Sequence, residues 1–141
     1  MASMCALAVV AAASAATPTR ATWAKRANSL CGAEIRTLHA LPGPAQGDIP
    51  GTAAYMRRIV TVGSPFTSKI AALPRPRSER AQIAAWVTTE RRVEADALAM
   101  ARALDRRDRA AAQSWLTSMT REAARTDVIA RRLGAYVCAE S

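Results

Sequence analysis

From Ser78 to Leu133 the chain runs 56 residues without a glycine or a proline. Ala, Leu, Arg and Glu crowd this stretch, and these are the residues that lose least by entering a helix. An apolar seam runs along it at helical spacing. Ile83, Trp86, Val87, Val93, Ala97, Met100, Ala101 and Leu104 fall within about 140° of one another when each residue advances ~100°. Ala112, Leu116, Met119, Ala123, Thr126, Ala130 and Leu133 continue in steps of four and three. Asp105-Arg106-Arg107-Asp108-Arg109 interrupts the seam, with Asp108 where an apolar residue is due. The interruption reads as a tight turn between two antiparallel helices. In that reading Asp105 is the N-cap of the second, with Asp108 three residues on, much as in a capping box. One unbroken helix would be ~80 Å long and would need a coiled-coil partner. Globular helices usually run ~8–20 residues, which favours the hairpin.

Two more helices precede the hairpin. The first starts near Thr19 or Thr22 and runs to about Leu41, with Trp23, Ala27, Leu30, Cys31, Leu38 and Leu41 inward. Three prolines and three glycines between Leu41 and Gly51 make that segment a loop. Tyr55, Ile59, Val62, Phe66, Ile70 and Leu73 then mark a second helix. Its phase survives Gly63-Ser64-Pro65, which predicts one helix kinked near Pro65, or two short ones sharing a face. Pro74 and Pro76 stop it, and Ser78 with Glu79 caps the next. Short connections make antiparallel neighbours, so the fold expected is all-α: an up-down-up-down four-helix bundle.

Residues 1–16 read as a secretory signal peptide, leaving 17–141 as a single bundle domain. Cys5 to Ala13 is an unbroken apolar run, and Ala13-Ser14-Ala15 supplies small residues at the cleavage positions. The first basic residue is Arg20, so a basic leader segment is missing from the pattern. Export removes Cys5, leaving Cys31 and Cys138. An oxidising compartment favours their pairing, and an antiparallel bundle returns the chain end to the first helix. Two buried free thiols would fit a cytosolic protein instead.

The formal charge of +9 would ordinarily suggest a polyanionic partner. Eleven Arg are offset by eight acidic residues between Ser78 and Leu133. The excess lies in residues 17–77, where nine basic side chains face only Glu34 and Asp48. Aromatic residues make up 4 %, too few for a stacking platform on single-stranded nucleic acid.

No motif identifies a reaction, metal or cofactor. His39 is the only histidine, and no G-x-S-x-G, C-x-x-C, H-E-x-x-H or E-x-x-H is present. Haem ligation would need His39 with Met56, Met100 or Met119, and methionines at helical spacing are usually core filler. Glu34 and Glu90 stand out because each interrupts an apolar stripe. A buried carboxylate must be paired or neutral, and Arg58 is at a suitable height to pair with Glu34. The alternative is a polar cavity that takes a cationic or hydrogen-bonding ligand.

Trp23-Ala-Lys-Arg-Ala-Asn28-Ser-Leu-Cys31 and Arg131-Arg-Leu-Gly134-Ala-Tyr-Val-Cys138 resemble motifs of small secreted or surface-attached helical proteins from GC-rich actinobacteria. That resemblance implies secretion and supports pairing of the end cysteines, and it implies no activity. The expectation is therefore a monomeric, non-enzymatic bundle that binds a partner or belongs to the cell envelope. Electrostatic binding of nucleic acid or an anionic surface polymer is one alternative. A small-ligand or cofactor carrier using the bundle core is the other.

Overall fold

Helix boundaries fall where side chains can satisfy the backbone donors that a first turn leaves free. The structure, a computed structural model, describes residues 17–140; the signal-peptide reading of 1–16, with Cys5, lies outside them. The described residues form α1 (Arg20–His39), α2 (Ile49–Ala71), α3 (Arg80–Asp105), α4 (Arg109–Leu133) and a closing 3-10 turn, Val137–Ala139. Thr19 caps α1 by accepting from the Thr22 amide at 3.2 Å. Asp48 caps α2 through the Gly51 amide at 2.8 Å. Pro50 costs nothing in that first turn, where its missing N–H had no helical acceptor. The N-cap of α3 is Glu79, without a side-chain bond, so the expected Ser78 cap does not form.

The chain does reverse between α3 and α4, but the cap is not Asp105. Asp105 ends α3 and pairs with Arg57, while Asp108 caps α4 through the Ala111 amide at 3.0 Å. Arg107 makes the turn in the left-handed region, at φ 57°. The Asp108 amide reaches back to the Ala103 carbonyl and the Arg107 amide to that of Leu104. This closes a Schellman motif around a residue that is not the usual glycine. Gly134 ends α4 in the same way at φ 79°, with the Ala135 amide on the Ala130 carbonyl.

Consecutive helices pack antiparallel, giving an all-α, up-down-up-down four-helix bundle. α2 continues through Pro65 as one helix, so the two-helix alternative does not occur. Its inner face is turned by about one residue from the expected stripe. Ala53, Gly63, Thr67 and Ile70 are buried, while Tyr55, Ile59, Val62 and Phe66 flank them half-buried. Small side chains let α2 approach its neighbours closely, and the larger ones close the seams on either side.

The largest buried side chains gather where the chain ends meet. Trp23, Cys31, Ile70, Ile83, Leu133 and Cys138 are the largest fully buried side chains. Cys31 and Cys138 are disulfide-bonded, tying α1 to the 3-10 turn. Asn28 locks the same junction from both sides of its amide: Nδ2 donates to the Gly134 carbonyl at 3.2 Å, and Oδ1 accepts from the Val137 amide at 2.9 Å. Beyond this core the interior thins toward the α3–α4 turn, where Ala97, Ala99, Ala101, Ala103 and Ala112 are the buried side chains.

Candidate functional site

All four helices contribute to one cavity of about 250 Å3, between the core of large side chains and the alanine-rich end. α1 supplies Glu34 and Leu38, and α2 supplies Met56, Ile59, Val60, Gly63 and Thr67. Glu90, Val93, Glu94 and Ala97 come from α3, and Met119, Ala123, Thr126 and Asp127 from α4. Periodicity explains the grouping. Glu90, Glu94 and Ala97 recur at steps of four and three, as do Met119, Ala123 and Thr126, so each set lies on one helix face. On α2, Gly63 leaves the room that Glu34 occupies: a Cβ there would sit 3.0 Å from Glu34 Oε1.

Glu34 and Glu90, picked out because they break apolar stripes, do share this cavity. Arg58 does not join them. It is exposed, with Nη2 donating to the Pro42 carbonyl at 3.4 Å. Residue 58 lies two positions from Val60, about 200° round the helix, so it points away from the cavity side of α2. His39 is exposed at the end of α1 and is not part of the lining.

Glu94 is anchored from α2: Ser64 Oγ donates to one carboxyl oxygen at 2.8 Å and Thr67 Oγ1 to the other at 2.8 Å. Glu34 and Glu90 have no hydrogen bond or ion pair among the described residues. Burial, reinforced by the charge of Glu94, pushes Glu34 from 4.5 up to about 7. Burial moves Glu90 further, to about 8, and repulsion from Glu34, Glu94 and Asp127 adds to it. Asp127 is raised by burial against the opposing pull of Arg131. The cavity thus holds carboxyls whose protons are exchangeable near neutrality, in a chain whose basic side chains all lie outside the lining.

Periodicity singles out none of Thr67, Glu94 and Asp127 as site residues, and it marks Gly63 only as a possible break in α2. Glu94 was within reach, because it lies four residues after Glu90 on the same helix face. Gly63 and Thr67 were hidden by the displaced face of α2. Among the described residues no group of His, Cys, Asp or Glu is placed to hold a metal ion, and no helix is long and apolar enough to cross a membrane. No protein-family model, curated protein or solved structure matches the chain, so its function has to be argued from the cavity itself.

Proposed function

We propose that this protein is a non-enzymatic binding protein of the extracellular space or cell envelope, and that its ligand is a small molecule held in the bundle cavity. The observation that carries the reading is the cavity: apolar walls with a few convergent polar groups are the usual construction of a small-molecule site. Its unpaired carboxyls favour binding over catalysis. Acid–base work by two carboxyls calls for environments that drive them apart, whereas burial raises Glu34 and Glu90 together. The disulfide and the apolar N-terminal run support an oxidising compartment.

Two measurements test this proposal. Protein recovered from culture supernatant should begin at Ala16 or Thr17; an intact Met1 on cytosolic protein would reject export. Ala123→Leu fills the cavity from α4 and should leave the helical signal intact. A ligand present at a hundred times its Kd stabilises the native state by about 2.7 kcal/mol, a thermal shift on the order of 10 °C for a chain this size. That shift should vanish in Ala123→Leu. Equal shifts in both proteins would place the ligand elsewhere.

A further inference from the structure

The chemistry of the cavity selects among small ligands, and this selection rests on the binding reading above. Its walls are aliphatic and thioether, from Ile59, Val93 and Met119 among others. At ~30 Å3 per heavy atom, water's share of the liquid, the space suits roughly eight non-hydrogen atoms. Neither Glu34 nor Glu90 has an internal partner, so each still has its acceptor oxygens to offer. A carboxylate ligand would meet like charge. A quaternary ammonium would lack the aromatic faces that hold such groups, since no Trp, Tyr or Phe lines the cavity. A group carrying both positive charge and N–H donors meets every feature of the lining.

We propose that the cavity binds a small aliphatic ammonium ion, with Glu90 and Glu34 accepting its N–H donors and its alkyl body against Ile59, Val93 and Met119. Binding is then linked to protons, because the ammonium favours the ionised carboxyls. The groups facing it are Glu34 from α1, Glu90 and Glu94 from α3, and Asp127 from α4 with Arg131 beside it. α2 adds hydroxyls and no titratable group. Affinity should rise from pH 6 toward pH 9, as Glu34 near 7 and Glu90 near 8 lose their protons. It should fall again once the amine deprotonates, at about 10.4 for an alkylamine like that of lysine.

Calorimetric titration with hexylamine, 1-hexanol, hexanoate and hexyltrimethylammonium tests this, at pH 7 and pH 9 and in two buffers of different ionisation heat. Hexylamine should bind roughly 10- to 100-fold more tightly than 1-hexanol, the margin expected of charged hydrogen bonds. It should release protons at pH 7 and far fewer at pH 9. Glu90→Gln should lose about tenfold of the hexylamine affinity and clearly less of the 1-hexanol affinity, because the hydroxyl carries no charge for the carboxylate to pair with. If 1-hexanol or hexyltrimethylammonium matches hexylamine, or hexanoate exceeds it, the ammonium assignment falls and the cavity-binding reading stands. Unchanged hexylamine affinity in Glu90→Gln would also overturn the assignment. If none of the four binds, both readings fall together.

Discussion

Removing the Cys31–Cys138 bridge is expected to destabilise the protein by about 3–5 kcal/mol, the largest effect of any substitution considered. The bridge spans 107 residues of sequence, and in the chain-entropy model a loop of that length is worth about 4.8 kcal/mol. Cys31→Ala with Cys138→Ala releases that constraint on the unfolded chain and also leaves a void in the core, where both cysteines are buried. The thermal midpoint should drop on the order of 15 °C. Asn28 would then be the main tether between the C-terminal turn and α1, through two hydrogen bonds. Urea unfolding of the double variant measures the loss, and a change below about 1 kcal/mol would refute the loop-entropy account. Alkylation of unreduced, denatured protein checks the bridge directly, since two labelled cysteines would show that it is not formed.

The second large effect is a pH-dependent gain from Glu90→Gln. Glu90 is raised from 4.5 to about 8 on folding, chiefly by burial. Below pH 4.5 the carboxyl is protonated in both folded and unfolded chains, and the folded state carries no penalty. Between pH 4.5 and 8 the unfolded chain releases the proton and the folded one retains it. That stability is progressively lost as pH rises, and above pH 8 the folded protein holds a buried carboxylate. Gln has nearly the same shape and does not titrate. The variant should match the parent near pH 4.5 and exceed it at pH 9 by on the order of 3 kcal/mol, at 1.36 kcal/mol per pH unit less what solvent relaxation recovers. Thermal melts at the two pH values test this. A constant offset between the proteins, or a gain confined to low pH, would mean that Glu90 is not a buried acid.

The two end motifs bear on function in a negative sense. Trp23, Asn28 and Cys31 from one, with Gly134, Val137 and Cys138 from the other, meet at a single junction of core packing, paired amide bonds and the disulfide. They hold the chain ends together, and none of them lines the cavity.

What was legible in the sequence was whatever depends on local periodicity and covalent chemistry. Helix number and type and the proline-rich loop between α1 and α2 followed from residues close in sequence, which also narrowed the first cap to Thr19 or Thr22 and the disulfide to Cys31 with Cys138 once Cys5 is set aside; the structure uses Thr19 and forms that bridge. Glu34 and Glu90 were legible because a carboxyl inside an apolar stripe conflicts with burial wherever the helix packs. Tertiary structure decided the rest. The α3–α4 turn rests on Arg107 in a left-handed conformation, which local propensity disfavours and the packed hairpin imposes. The face that α2 buries was set by how closely Gly63 and Ala53 let it approach its neighbours, and no hydrophobic period encodes that distance. Arg58 took the Pro42 carbonyl instead of Glu34, because turning the inner face of α2 by about one residue, roughly 100°, carries Arg58 off the cavity side. The cavity exists only where four helices leave a gap between large core residues and an alanine-rich end, so no single stretch of sequence contains it.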